Sequence, residues 1–207
     1  IVPIANHLTE AGVVAVKADS PYKTIEELVA AAKEKGNLKA STNGNKASNH
    51  TAAQLLAKSA GFKYKAIPYG GTADQLLALR QGEVDFTCAK VADVAKLVKG
   101  DKPELRVLAV FNTKRDPELP NVPTLGEKGL YPEWYGSARA LVAPKGTKPE
   151  VIQYYVEAFK KTMQDPAVIE AHKKAGMALD FKDNKELGDL IKAQDKFARD
   201  VVNDLYK

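Results

Sequence analysis

Two polar loops carry the residues whose types and spacing are best suited to binding a ligand. The first spans residues 42–50 (TNGNKASNH) and the second residues 69–72 (YGGT), and each leads into a helical pattern. A loop that opens a helix presents backbone N–H groups and the positive end of the helix dipole, which favours an anion. Gly, Asn and Ser are also ordinary turn residues, so either loop alone suits a plain turn. The two loops together indicate a small acidic ligand.

The remaining reactive residues form no recognisable catalytic or metal-binding pattern. His7, His50 and His172 lie far apart in the sequence, and none has an H-E-x-x-H or paired-ligand spacing. His50 could donate to a carboxylate, although its place in the first loop equally suits a hydrogen bond to the local backbone. We therefore predict no catalytic residue, no metal site and no cofactor.

Charge and cysteine content narrow the function classes further. The 207 residues include 31 basic and 26 acidic side chains, a net charge of +5 that would help to attract an anion. The lysines are scattered, and no basic run is interleaved with aromatic residues, which argues against nucleic-acid binding. Cys88 is the single cysteine, so neither an internal disulfide framework nor a cysteine-based metal cluster is expected.

Short apolar runs alternate with helical periodicity along the chain, which predicts βαβ units and a mainly parallel sheet. Three segments have the T-x-x-E/Q pattern of a capping box at a helix start, Thr24–Glu27, Thr72–Gln75 and Thr147–Glu150. In an open α/β sheet the ligand lies beyond the carboxyl ends of the strands. Both polar loops are expected at that edge.

Several segments, taken in order, resemble the solute-binding proteins of bacterial tripartite tricarboxylate transporters, the Bug family. The matching segments are Pro3–Asn6, Ser20–Thr24, Ser48–His50, Pro68–Thr72, Gly82–Asp85, Leu105–Val110, Lys114–Thr124 and Ala143–Thr147. The resemblance implies an α/β, two-lobed periplasmic-binding-protein fold of type II, with crossover strands joining the lobes. It also implies a periplasmic protein that closes on small carboxylates without chemistry.

Family members are longer, and the resemblance implies that the N-terminal part of the first lobe is missing here. Residues 1–21 and 132–207 would form the partial first lobe with the crossover strands Val13–Lys17 and Ser137–Val142. Residues 22–131 would form a complete second lobe. The chain starts with neither an initiator Met nor a signal peptide, so we expect a processed or truncated product. A missing segment or another chain should complete the first lobe, which would otherwise expose a sheet edge and apolar helix faces.

The resemblance also gives a set of expected ligand-binding residues, and three positions in the loops that carry them depart from the family pattern. Lys46 stands in place of a glycine, Ala47 in place of a hydroxyl residue, and Lys90 at a site often filled by acidic or amide residues. Most lysines point into water; our hypothesis is that Lys46 or Lys90 faces the cleft and pairs with an extra carboxylate. The expected set is Thr42, Asn43, Gly44, Asn45, Lys46, Ser48, His50, Tyr69, Gly71, Thr72 and Lys90.

The function implied is capture of a small carboxylate (a di- or tricarboxylate, or an acidic amino acid) for a membrane permease. Two alternatives remain open from the sequence. One is a sensing module that reports the same ligand to a signalling partner. The other is an enzyme on the same scaffold, because a fold alone does not fix a function.

Overall fold

The computed structural model describes residues 1–177 and 179–206; Ala178 and Lys207, which fall in the predicted segment 132–207, lie outside the described residues. The strands are β1 (Val2–Lys17), β2 (Lys39–Thr42), β3 (Lys65–Pro68), β4 (Phe86–Lys90), β5 (Leu105–Phe111) and β6 (Gly136–Ala143). The helices are α1 (Ile25–Lys35), α2 (Ser48–Ala60), α3 (Thr72–Gln81), α4 (Val91–Val94), α5 (Pro149–Met163), α6 (Pro166–Lys174), α7 (Asn184–Phe197) and α8 (Asn203–Leu205), with a π-helical turn (Ala198–Val202) before α8. None of the helices in the described ranges has the length and apolar content that crossing a membrane requires.

The chain divides into two compact units. Unit 1 comprises Ile1–Glu10 and Ala138–Lys207, and unit 2 comprises Ala11–Ser137. The sequence placed these boundaries at residues 21/22 and 131/132. The difference arises because Gly12–Lys17 pair with β4 and β5, so this part of β1 belongs to the sheet of unit 2. Whether the two units correspond to the two lobes of the family stays a prediction.

The sheet follows the order β3-β2-β4-β1-β5, and β6 pairs with β1. Strands β2, β3 and β4 are parallel, as the βαβ pattern predicts, whereas β1 runs antiparallel to both β4 and β5. The parallel strands place their carboxyl ends, near Thr42, Pro68 and Lys90, at one edge of the sheet. Both polar loops begin at this edge.

The core of unit 2 forms where apolar strands are covered by helices. Val13, Val14 and Phe86 are fully buried in β1 and β4, and Leu79 of α3 packs into the same unit. Burying a side chain of this size contributes about 1.5–3 kcal/mol. Because Val13 and Val14 are neighbours in a strand and point to opposite faces, the sheet of unit 2 is buried on both faces there.

Unit 1 has a smaller buried cluster, formed by Ile4, Ala5, Ala143, Ile152 and Val156. A groove of about 330 Å³ lies on the same unit. Its lining residues are Ile4, Leu141, Val142, Ala143, Pro144, Thr147, Val151 and Tyr155. Several of these apolar side chains, including Leu141, Val142 and Val151, are more than one third exposed.

Only the first of the three predicted capping boxes forms. Thr24 and Glu27 cap α1 reciprocally, as predicted. Helix α3 instead begins after Gly71, because the side chain of Gln75 is buried in the core and does not reach back to the helix start. Helix α5 begins after Lys148 with Pro149 in its first turn, while the Thr147 hydroxyl donates to the Pro144 carbonyl.

Candidate functional site

The first loop connects β2 to α2 and is held by its own side chains. The Thr42 hydroxyl donates to the Gly44 carbonyl at 3.2 Å, and Asn43 Oδ1 accepts from the Asn49 amide at 3.3 Å. Helix α2 follows Ala47, whose methyl group cannot accept a hydrogen bond from the first helical amides. The side-chain cap of α2 therefore comes from Asn43, earlier in the loop, and not from the residue that immediately precedes the helix.

Lys46 and His50 fix the shape of this loop. Lys46 has a φ of 57°, a left-handed conformation that glycine adopts more readily than lysine. Its backbone N–H donates to Nδ1 of His50 at 2.9 Å, and the His50 side chain is buried. Burial lowers the pKa of His50, in keeping with a neutral ring that accepts this hydrogen bond. The side chains of Asn45 and Lys46 are exposed.

The second loop, residues 69–72, lies beside the first. The Tyr69 N–H donates to the Thr42 carbonyl at 2.9 Å, which ties the two loops together. Helix α3 follows Gly71, which has no side chain to cap it. The Tyr69 hydroxyl donates to Glu83 Oε2 at 3.0 Å; burial first, and then Glu83, raises the pKa of this tyrosine.

A buried polar network supports the two helix starts from below. Asn49 Nδ2 donates to Gln75 Oε1 at 2.9 Å and so joins the first turn of α2 to that of α3. Gln75 Nε2 donates in turn to the Cys88 carbonyl at 2.6 Å and to the Thr87 hydroxyl of β4. The Ser41 hydroxyl donates to Thr87 Oγ1 at 3.0 Å. Satisfied buried networks of this kind hold groups in one arrangement.

Lys90 brings a positive charge to this network. It lies at the carboxyl end of β4 and is only 5% exposed. Its Nζ donates to Asn49 Oδ1 at 2.6 Å and to Ser48 Oγ at 3.3 Å, and its backbone N–H donates to Asp93 Oδ2. The ammonium group is thus adjacent to the first turn of α2, where the helix dipole is also positive.

The structure gathers the predicted residues of both loops, together with Lys90, at one sheet edge. Sequence reasoning missed Asn49, Gln75 and Tyr135, whose hydroxyl donates to the Ser48 carbonyl at 3.2 Å. The polar residues Asn49 and Gln75 in the first turns of two otherwise apolar helical patterns were a usable signal. For Tyr135 the sequence contained no such signal, because this residue is 87 positions away from Ser48 in the chain.

The pattern of the tripartite tricarboxylate transporter family receptor (TctC) matches residues 1–205. The chain belongs to this family. A relative from Cupriavidus necator, the "UPF0065 protein in gbd 5'region", is 38% identical over 152 residues, which cover 73% of this chain and 45% of the relative. The chain spans about half the length of the curated relatives it matches.

Solved structures confirm the fold. A TctC solute-binding protein from Polaromonas superposes with a TM-score of 0.82 at 28% identity, covering 98% of this chain and 69% of that one. The periplasmic binding protein BugD gives a TM-score of 0.78 at 25% identity, covering 95% of this chain and 68% of its own. The chain therefore has the α/β fold of the Bug-family periplasmic binding proteins. These neighbours are binding proteins rather than enzymes.

Proposed function

We propose that this chain binds a small carboxylate at the edge formed by the carboxyl ends of β2, β3 and β4. One observation carries the proposal: helices α2 and α3 start side by side after Ala47 and Gly71, next to the ammonium group of Lys90. Two helix N-termini and one cation give a positive potential where backbone N–H groups are available to an anion. Membership of a tricarboxylate transporter receptor family supports carboxylate as the anion.

The roles proposed for the two loops follow from their contacts. The amide and hydroxyl groups of Ser48 and Thr72, with the Gly71 amide, would donate to the carboxylate. Thr42, Asn43, Gly44 and Asn45 would present the backbone of the first loop. His50 would position this loop through its hydrogen bond to Lys46, and Tyr69 would hold the second loop through Glu83. Fixing the donors before the ligand arrives reduces the ordering cost of binding.

Of the two candidate lysines, we propose that Lys90 contributes the charge. It is buried beside α2, whereas the Lys46 side chain is exposed. A hydrogen bond to a charged group contributes about 1.5–3 kcal/mol, so Lys90 should favour ligands with additional carboxylates. Isothermal titration with acetate, malate and citrate should show Lys90→Met lowering citrate affinity at least about tenfold more than acetate affinity. The matched Lys46→Met variant should show no such selectivity; equal losses across the three ligands in both variants would contradict this assignment.

The site itself can be tested by NMR on the 207-residue chain. Adding malate or citrate to ¹⁵N-labelled protein should shift the amide resonances of residues 48–50 and 71–73, which lie at the starts of α2 and α3. The amides of residues 25–27, at the capped start of α1, serve as an internal reference and should not move. Shifts of equal size at all three helix starts, or none at millimolar ligand, would overturn the proposed site.

We further propose that the protein is exported to the periplasm and presents its ligand to a membrane permease. Support comes from the family description and from the periplasmic neighbour BugD. Permease genes beside the gene for this chain would agree with transport, whereas a neighbouring kinase gene would favour the sensing alternative. Fractionation of cells that make the full-length protein tests the location directly.

The apolar groove of unit 1 is a surface that a further polypeptide segment could cover. We propose that it is covered by a segment equivalent to the part of the relatives that this chain does not match. The groove exposes Leu141, Val142 and Val151, and the chain covers only 69% of the Polaromonas protein. The dye ANS should bind the 207-residue chain more strongly than a chain extended to the length of its relatives. A Leu141→Ser, Val142→Ser double variant should reduce dye binding to the shorter chain; equal dye binding by both lengths would contradict the proposal.

A further inference from the structure

Two histidines that are remote in sequence meet in unit 1. His7 of β1 and His172 of α6 face each other with their Nε2 atoms 3.0 Å apart, and their rings are inclined at 78°. They are separated by 165 positions, so no spacing rule pairs them in the sequence. The pair lies outside the carboxylate site, which is built in unit 2.

The outer nitrogen of the His172 ring is engaged with a backbone group. His172 Nδ1 lies 2.8 Å from the Val168 carbonyl, which can only accept, so Nδ1 carries the hydrogen and Nε2 a lone pair. Burial lowers the pKa of His7, as do His172 and Arg139, while a backbone hydrogen bond at Arg139 raises it.

These contacts make the space between the rings a place for a positive charge. If both Nδ1 atoms carry the hydrogen, both Nε2 lone pairs face the space between the rings in the neutral state. Two lone pairs so close together repel each other. A proton shared between the two Nε2 atoms relieves this repulsion, and a metal ion bound to both does the same. Imidazoles that bind metals commonly donate their other N–H to a backbone carbonyl in this way.

We propose that His7 and His172 bind a late first-row divalent cation, with Ni²⁺ and Cu²⁺ preferred over Zn²⁺. Two nitrogens 3.0 Å apart, each about 2.05 Å from a common ion, subtend an angle of about 94° at that ion. This angle matches the neighbouring positions of the tetragonal geometry that Cu²⁺ and Ni²⁺ adopt with nitrogen and oxygen ligands. The tetrahedral geometry of Zn²⁺ requires a wider angle.

The surroundings set the strength of this site. Within residues 1–177 and 179–206, no group of three or more His, Cys, Asp or Glu side chains is arranged to hold a metal. Both rings are partly exposed, so water molecules would take the other coordination positions. The guanidinium of Arg139 is close enough to lower the pKa of His7, and it pairs with Glu10 Oε2 at 2.9 Å. Binding should therefore be weaker than in a three-ligand site and should weaken further as the pH falls, because protons compete for Nε2.

The test is isothermal titration of the tag-free 207-residue chain with NiCl₂ at pH 7.5 and pH 5.5. We expect one Ni²⁺ per chain at pH 7.5, with affinity at least about tenfold lower in His7→Gln and in His172→Gln. The matched control is His50→Gln, which removes an imidazole from unit 2 and should leave Ni²⁺ affinity unchanged. Circular dichroism of each variant verifies that it is folded.

Electron paramagnetic resonance with Cu²⁺ gives a readout that does not depend on stability. The spectrum of the wild-type chain should show coupling to two imidazole nitrogens, and each single variant should lose one of them. Absence of Ni²⁺ binding at pH 7.5 would overturn the proposal. So would binding that persists unchanged in the His7→Gln, His172→Gln double variant, which would identify the metal as adventitious.

Discussion

Helices α1 and α2 begin in different ways, although both belong to unit 2. The Thr24 hydroxyl accepts from the Glu27 amide at 3.2 Å, and Glu27 Oε2 accepts from the Thr24 amide at 3.2 Å. Helix α2 instead starts after Ala47, which offers no side-chain acceptor, and it has Lys90 at its side. A helix start with a reciprocal capping box is structural, whereas one whose preceding residue has no acceptor and that has a cation beside it is suited to an external anion.

The largest expected effect comes from breaking the network beneath the α2 start. Asn49→Leu keeps the branched outline of the side chain but removes the acceptor of Lys90 Nζ and the donor to Gln75 Oε1. Loss of a charged and a neutral buried hydrogen bond should lower the free energy of unfolding by about 3 kcal/mol. Urea denaturation measures this value. The same substitution at an exposed loop position, Asn45→Leu, should change it by less than about 0.5 kcal/mol, and equal effects of both variants would refute the role given to the network.

A smaller effect is expected from giving α2 the kind of start that α1 has. Ala47 has φ −73° and ψ 172°, the extended conformation of a capping residue, so Ala47→Asp should place a carboxylate on the first amides of α2. We expect the free energy of unfolding to rise by about 0.5–1 kcal/mol. Carboxylate binding should weaken at least about tenfold, or about 1.4 kcal/mol, because the new side chain competes with the ligand.

The complementary control removes the cap of α1. Thr24→Ala should lower the free energy of unfolding by about 1 kcal/mol and leave malate affinity unchanged. The α1 variant would then change the free energy of unfolding alone, whereas the α2 variant would also change the affinity for the ligand. If Ala47→Asp retained full affinity for malate, the distinction between the two helix starts would be wrong.

The smallest effect concerns pH. Burial holds the pKa of His50 below its ordinary value of 6.5, so the folded protein takes up a proton less readily than the unfolded chain. The stability that depends on neutral His50 is therefore complete above pH 6.5 and declines as the pH falls below it. Urea titrations at several pH values should show a shallower decline in His50→Gln than in the wild type. The pKa of His7 is also lowered, but His7 is present in both proteins, so its contribution cancels in the comparison. Identical pH profiles would show that His50 contributes nothing to the pH dependence of stability.

Local patterns predicted the features that depend on neighbouring residues. The capping box Thr24–Glu27 formed as expected, because both of its hydrogen bonds join residues three positions apart. The same pattern at Thr72–Gln75 failed, because the Thr87 hydroxyl and the Cys88 carbonyl draw the Gln75 side chain into the core. A side chain follows the partner that is best placed in three dimensions, and a local pattern contains no information about that partner.

The strands show the same difference between features that depend on neighbouring residues and features that depend on remote partners. The alternation of strands and helices predicted the parallel order of β2, β3 and β4 and the edge where the loops meet. The resemblance implied a crossover strand only at Val13–Lys17, whereas β1 begins at Val2. The pairing of Gly12–Lys17 with two other strands places them in unit 2, and pairing partners cannot be read from one segment.

The sequence by itself determined the fold class, the family and the position of both anion-favouring loops, because each depends on periodicity or on contiguous motifs. Tertiary structure alone decided which lysine lies beside α2, since Lys90 reaches Ser48 and Asn49 across more than 40 positions. It also decided that His7 and His172 meet. Contacts between remote residues depend on how strands and helices pack, and packing is a property of the whole folded chain.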